Sequence, residues 1–485
     1  MKIALIVDNP FRDLPGLVLV ALHLCQRGCT CFLVPAALRT RETLTLAPDF
    51  VLLNNLRTDK ETFARHLLGV GIGLGVLDTE GGVFRGMEQY AETLTLNTAI
   101  RDGVACFCSW GPKLARHAVE AGWYRESQIQ VTGAPRMDFY AEPWRDAALR
   151  MPWAADASPG PFVLINANFS LANPMHRTAE EAASIKTQRW RFDPERVARL
   201  LEAERQTMAK VVSLANHLAA AMPDVEFVYR PHPFEDPHTY EKLLDRRPNL
   251  RLVKSGTVDG WILRSRAVIQ RGCSTAIEAA IAGVPALAPG WIQAPVDFET
   301  VDAVSVFCAS EQEMIERIRS AVNGGLRPTA AIAENLRRVL EDWFFAVDGR
   351  AYQRVVEAIL AGAGGRPATS PQRCRDALDG VLQPDGPWTT RGSMRVRAMA
   401  RRALGLSIGW SFRQWREAVD LSWDGDQRFF DAAAVRNLVD AIQPVARKAC
   451  GSGWAEVPVR ASLERGDYHF QYKYGRSVTL GPSEN

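Results

Sequence analysis

The chain has 485 residues, 47% of them hydrophobic and 23% charged, with a formal net charge of +3. That balance is typical of globular proteins and excludes a disordered chain, a collagen-like chain and a multi-span membrane protein. So small a charge gives no global reason to expect nucleic acid as a partner, and the length implies about three domain-sized units.

The first ten residues, MKIALIVDNP, open on an apolar run too short for a signal-peptide core, which reads as a buried strand over Ile3–Val7. The apolar stretch from Leu14 to Cys25 falls short of the roughly 20 residues that a membrane span needs. Further strands are predicted at Thr30–Val34, Phe50–Leu53, Gly73–Leu77, Ala105–Cys108 and Ile129–Thr132, with helices over Leu17–Arg27, Lys60–Leu68 and Pro112–Ala121. Several of these strands are apolar throughout, the pattern of a parallel sheet covered by helices on both faces, where ligands gather at the carboxyl ends of the strands. Gly69 to Gly75 reads as a helix-to-strand turn. The nine cysteines are odd in number and form no CxxC pair. Cys29, Cys31, Cys106 and Cys108 read as small buried hydrophobes, and a reduced, cytoplasmic protein is expected.

Glu142 to Pro161, with its prolines and tryptophans, reads as a linker. The alternating pattern then restarts, with strands at Phe162–Ile165, Glu226–Tyr229, Leu250–Val253, Ala267–Gln270 and Pro285–Leu287, and helices over Pro194–Met222, Val258–Arg264 and Thr275–Ala282. The expected class is α/β, with two Rossmann-like domains, residues 1–150 and 151–362, facing a cleft. A mostly helical extension over 363–485 follows. Within it, Arg391 to Arg416 carries arginines interleaved with Leu404, Trp410, Phe412 and Trp415 and no acidic residue. This segment is a candidate contact for an anionic membrane surface, or alternatively packs on the second domain.

Two motifs carry chemistry. Arg230 and His232, in Tyr229-Arg230-Pro231-His232-Pro233, end a predicted strand at the cleft, where a guanidinium and an imidazole suit a phosphate. In Gln270-Arg271-Gly272-Cys273-Ser274-Thr275-Ala276-Ile277-Glu278, Ser274 and Thr275 open a helix and present donors to an anion, with Glu278 one turn on. Thr275-x-x-Glu278 is equally a capping box that needs no ligand. No HExxH, CxxC, P-loop or strand-following GxGxxG occurs, and the one Asp-x-Asp, Asp424-Gly425-Asp426, lies in the tail, so no metal is expected.

Together these motifs resemble GT-B glycosyltransferases, in particular bacterial surface-carbohydrate (capsule and lipopolysaccharide) biosynthesis proteins. The resemblance extends to Asp8 through Gly16, Leu53-Asn54-Asn55-Leu56-Arg57, Asp78-Thr79-Glu80-Gly81-Gly82, Ser109-Trp110-Gly111 and Thr132 through Asp138. The His-Pro and Ser-Thr elements also resemble those of Kdo transferases, sialyltransferases and CDP-glycerol polymerases. What the resemblance implies is a glycosyltransferase moving Kdo or another acidic sugar from a CMP-linked donor to a glycan or lipid-linked glycan, at the inner face of the membrane. In that reading Arg230 and His232 neutralise the leaving phosphate, Gln270, Gly272, Ser274, Thr275 and Glu278 hold the nucleotide, and Glu80 is the general base. Asp8, Arg12, Asn54 and Asn55 line the acceptor side, and no cofactor is needed beyond the donor itself. Alternatives are a CDP-polyol phosphotransferase, a nucleotide-sugar epimerase and a non-catalytic scaffold.

Overall fold

Six apolar runs within the first 131 residues pair side by side as parallel strands in the computed structural model. It describes residues 1–36, 39–80, 86–94, 97–151, 160–175, 177–188, 192–382, 430–451, 454–462 and 477–481. These strands are β1 (Lys2–Val7), β2 (Thr30–Pro35), β3 (Phe50–Leu53), β4 (Gly73–Leu77), β5 (Val104–Ser109) and β6 (Ile129–Val131). A second parallel set follows: β7 (Phe162–Asn166), β8 (Glu226–Arg230), β9 (Leu250–Leu252), β10 (Ala267–Ile269), β11 (Ala286–Pro289) and β12 (Val306–Cys308). Two short strands late in the chain are β13 (Val459–Ala461) and β14 (Val478–Leu480).

The first sheet runs β13-β14-β2-β1-β3-β4-β5-β6 and the second β12-β11-β10-β7-β8-β9. In each, the strand order reverses beside the opening strand, between β1 and β3 in the first and between β7 and β10 in the second. Such a reversal splays the adjacent loops apart and leaves a crevice at the carboxyl ends of the strands. The architecture is therefore two doubly wound α/β units facing a cleft, the GT-B arrangement. Strand β3, and β1 and β7 apart from Lys2 and Asn166 at their ends, are apolar because both of their faces are covered; Ile3, Leu5, Val7, Leu53, Phe162 and Leu164 are fully buried.

The chain then returns to its beginning. Helix Ala351–Ala363 and helix Ala432–Cys450 bury Tyr352, Val355, Ile359, Val435, Leu438 and Ile442 in the same core as β1–β5. Strand β14 completes the first sheet by pairing antiparallel with β2, Leu480 opposite Cys31.

Most expected elements are present, with boundaries shifted by a few residues. Gly71, at φ 89°, ends helix Glu61–Val70 and makes the expected turn into β4. Three corrections are needed. The linker begins with a helix, Trp144–Arg150, and Trp144 is fully buried with its indole N–H donated to the Gly349 carbonyl at 2.9 Å. Strands β12, β13 and β14, each three residues long, are additional, as are helices such as Ala179–Gln188 and Glu311–Val322. Helix Thr275–Ile281 opens without a capping box: Ser274 is its N-cap and makes no side-chain cap bond, and the Thr275 hydroxyl turns to the Cys273 sulfur. The Arg391–Arg416 segment and Asp424-Gly425-Asp426 lie outside the described residues. Among the described residues no helix is long and apolar enough to cross a membrane.

Candidate functional site

On the first unit, the turns after β1, β3 and β4 bring charged side chains together at the switch point. Asn9 organises the turn after β1: its carbonyl accepts the N–H groups of Arg12 and Asp13, and its side-chain oxygen accepts that of Phe11. Arg12 is thereby aimed at three carboxylates, Asp13 at 2.9 Å, Asp8 at 3.1 Å and Glu80 at 3.4 Å. Arg57, after β3, meets Glu80 at 3.2 Å and Asp78 at 3.3 Å. The backbone N–H of Glu80 donates to Asp78, whose other oxygen accepts the Tyr90 hydroxyl at 3.1 Å.

Four carboxyl groups thus share two guanidiniums, and the proton affinities of Glu80 and Asp13 shift in opposite directions. Desolvation beside the cleft would raise Glu80, whose side chain is half exposed, but Arg57 and Arg12 outweigh it and hold its carboxyl at about 2, ionised at neutral pH. Burial raises the Asp13 carboxyl despite Arg12. Arg12 itself is held firmly charged, since Asp13, Glu80 and Asp8 overcome its desolvation.

Of the remaining residues expected on this side, Asn55 accepts the ammonium of the buried Lys60 at 2.7 Å. Asn54 is buried, and both polar atoms of its side chain lack a partner. Both asparagines end β3, but their side chains sit in different surroundings.

The second unit supplies the facing wall. Pro231 and Pro233 flank His232 at the end of β8, and its Nδ1 accepts the Phe234 N–H at 3.2 Å. In the neutral ring this leaves the proton on Nε2. Burial, then the nearness of Arg12, pulls His232 down to about 4, while Glu80 acts in the opposite direction. The two walls are therefore close enough to sense each other's charge. His232 is held by Glu235, one of whose oxygens accepts the His232 N–H at 3.1 Å and the Tyr240 hydroxyl at 3.0 Å, while the other accepts the Phe169 N–H. Burial raises the Glu235 carboxyl to about 8 against those donors.

Arg230 is buried and gives its guanidinium to the carbonyls of Ser255, at 2.6 Å, and Gly256. It shapes the loop ahead of helix Val258–Arg264, and burial lowers it to about 10. Gln270 is likewise built into the fold, accepting the Cys273 N–H at 2.9 Å and donating to Ser305 at 3.0 Å. Gly272 has φ 77°, and a side chain there would press on the Val296 carbonyl at 3.1 Å. Glu278 reaches across to the first unit, accepting the Tyr140 hydroxyl at 2.6 Å and facing Arg136 at 3.9 Å. Ser274 and Thr275 open their helix at the end of β10, the switch point of the second sheet.

The structure thus gathers Asp8, Arg12 and Glu80 into one cluster opposite His232, and it places Arg230, Gln270 and Glu278 in scaffolding contacts. Sequence reasoning assigned no role to Asp13, Glu235, Tyr140 or Asn166. Asn166 ends β7 at the second switch point with its side-chain N–H groups buried and unpartnered. Its position at the end of an apolar strand was the available signal. Tyr140 and Glu278 are 138 residues apart, a separation that no local pattern reveals. Among the described residues, no group of three His, Cys, Asp or Glu is arranged to hold a metal ion.

No protein-family model matches the chain, and no curated protein sequence does either. Solved structures of similar fold include a Listeria monocytogenes protein assigned as a UDP-N-acetylglucosamine 2-epimerase. It is 14% identical, with a TM-score of 0.48 over 76% of this chain and 99% of that one. A Neisseria meningitidis UDP-GlcNAc 2-epimerase bound to UDP-GlcNAc is 13% identical, with a TM-score of 0.44 over 74% of this chain and all (100%) of that one. A Rickettsia africae glycosyltransferase is 11% identical, with a TM-score of 0.40 over 75% and 99%. The likeness is one of fold. Neither Kdo transferases nor CDP-glycerol polymerases are among these structures, and UDP-GlcNAc 2-epimerases predominate. The expected transfer of Kdo or another acidic sugar from a CMP-linked donor is corrected accordingly.

Proposed function

We propose that the chain is a nucleotide-sugar epimerase, with the nucleotide phosphates on the second unit and the sugar against the first. The observation that carries this reading is the cluster of Asp8, Asp13, Asp78 and Glu80 around Arg12 and Arg57, opposite His232. Glu80 is held ionised at about 2, while Asp13, on the same arginine, is raised by burial. Inverting the sugar carbon beside the anomeric centre requires its proton to leave as the C1–O bond to the nucleotide breaks and takes the electron pair, after which a proton arrives at the opposite face and the nucleotide adds back. Glu80 is the proton acceptor on the wall that faces the sugar. Carboxyl groups outnumber guanidiniums on the first wall, which therefore disfavours phosphate and suits hydroxyls. The facing wall offers the His232 Nε2–H and the Ser274 hydroxyl, donors suited to phosphate oxygens. No second substrate is needed, because the proton and the nucleotide that leave are both returned to the sugar.

The test is proton NMR in deuterium oxide with UDP-, GDP- and CMP-linked sugars. UDP-GlcNAc goes first, as the sugar nucleotide named for the Neisseria structure. The expected result is a new epimer carrying one solvent deuterium at the inverted carbon, lost in Glu80→Gln. Absence of deuterium from every sugar nucleotide, with binding intact, overturns the reading.

A further inference from the structure

We propose that a cavity under the carboxylate cluster is a specificity pocket for one neutral hydroxyl-bearing arm of the bound sugar. This rests on the epimerase reading for the identity of the ligand, but the pocket itself is defined by its own unpartnered atoms. The cavity, of about 40 Å³, lies among the carboxyl ends of β1, β3, β4 and β5, its base formed by apolar residues including Ile6, Leu17, Leu52 and Leu77. That exceeds the roughly 10–15 Å³ needed to hold one water, so a hydroxymethyl group fits where a whole sugar ring does not.

Its polar lining is unusual. Asn54, 3% exposed, leaves both Nδ2 and Oδ1 without a partner. Trp110, 2% exposed, leaves Nε1 without one, and so does Arg136 at Nε. All three residues line the same cavity. Buried polar groups are nearly always satisfied, so several orphans around one space signal a missing partner. The orphans comprise donors, at Asn54 Nδ2, Trp110 Nε1 and Arg136 Nε, and one acceptor, Asn54 Oδ1. A hydroxyl donates once and accepts twice, which meets the acceptor and two of the three donors. An ammonium accepts nothing and would leave the donors unmet. A carboxylate donates nothing to Asn54 Oδ1 and would meet the Asp13 and Asp78 carboxyls, which also line the cavity.

The walls are fixed in place. Gly16, on the helix after β1, comes so near the Pro135–Arg136 turn that a Cβ would stand 2.8 Å from the Arg136 nitrogen. The Arg136 guanidinium lies 4.9 Å over the Trp110 ring. The Asn54 carbonyl is tied to the Thr79 N–H at 2.9 Å. A sugar entering the cleft would find the orphan atoms pre-positioned beneath the carboxylates that face its ring.

The deciding measurement is calorimetric binding of a sugar nucleotide and its 6-deoxy analogue to the full chain, wild type and Asn54→Leu. Wild type should prefer the hydroxymethyl sugar by at least about tenfold, since a site built for a hydroxyl rejects the analogue that lacks it. Asn54→Leu should lose that preference while melting no lower than wild type, having shed two unsatisfied buried groups. Should Asn54→Leu not fold, Asn54→Asp keeps the shape, removes the Nδ2 donor and should reduce the preference in the same direction. An equal preference in wild type and variant, a cavity filled by water alone, overturns the pocket. So does failure of every sugar nucleotide to bind. Discriminating binding without deuterium exchange would leave the pocket standing and remove the epimerase reading instead.

Discussion

Replacing Asp138 by Asn should change how stability depends on pH, in a direction the structure dictates. Asp138 is fully buried in the Pro135–Tyr140 turn, and its two oxygens accept the N–H groups of Ala351, at 3.0 Å, and Tyr352, at 2.8 Å. It therefore caps helix Ala351–Ala363 from a distant part of the chain and holds the turn that carries Arg136 and Tyr140 to Glu278. Burial, opposed by those two donors, raises its carboxyl from the ordinary 3.8 to about 7. A carboxyl that binds its proton more tightly folded than unfolded is destabilised by ionisation. The penalty is absent below the unfolded value, grows as pH rises and is complete above the folded value. At about 1.4 kcal/mol per pH unit, roughly three units give a full penalty of about 4 kcal/mol, of which about 3 develops between about pH 5 and pH 8. Asn has no charge to bury but loses one of the two cap bonds, a roughly constant cost of about 1–3 kcal/mol. Relative to wild type, Asp138→Asn should therefore gain about 3 kcal/mol on going from about pH 5 to pH 8. Guanidinium unfolding followed by tryptophan fluorescence measures this, since Trp110 and Trp144 are buried in the same unit. Parallel stability curves for the two proteins would refute the buried-charge argument.

Ser274→Ala should leave stability within about 0.5 kcal/mol, because its hydroxyl makes no cap bond. It should weaken nucleotide affinity in calorimetry, since that hydroxyl is assigned to the phosphates. Tyr140→Phe removes the 2.6 Å donor to the buried Glu278 carboxylate and should lower stability by about 1.5–3 kcal/mol in thermal or chemical unfolding. Glu80→Gln should lower turnover with little change in nucleotide affinity, because Glu80 faces the sugar. Its depressed proton affinity also predicts that whatever stability the Glu80–arginine contacts contribute persists above about pH 4.5 and is lost only as pH falls toward 2; acid titration of wild type against variant checks this.

The architecture was readable because β3 and β4 are uninterrupted apolar runs and β1, β7 and β8 have apolar centres, which local patterning detects. Strand β12 escaped because its middle residue, Phe307, is 43% exposed at a sheet edge. Strands β13 and β14 escaped because each gains its order from a partner far away in sequence. The helix over Trp144–Arg150 was hidden by the prolines that flank it and follow it. At the site, strand-end placement put Asp8, Arg12, Glu80 and His232 at the cleft, since in a doubly wound sheet topology alone delivers strand ends there. The partners of Glu278, Arg230 and Asp138 were not readable. Thr275 and Glu278 have the spacing of a cap, yet a tyrosine hydroxyl in the other unit competes for the carboxylate and wins.

The return of β14 to the first sheet has a consequence for how the chain matures on the ribosome. Strand β2, TCFLVP, is paired on one side by β1 and on the other by β14, a strand far later in the chain. Roughly 450 residues separate the partners, so at about 5–20 residues per second the outer edge of β2 stays open for roughly 20 to 90 s after its own synthesis. An open, apolar strand edge is a template for pairing with another chain. The nascent first unit must therefore be shielded by chaperones or by its own slow closure, and crowding of polysomes should trap it more readily than the second unit, whose strands lie in a single uninterrupted stretch of chain.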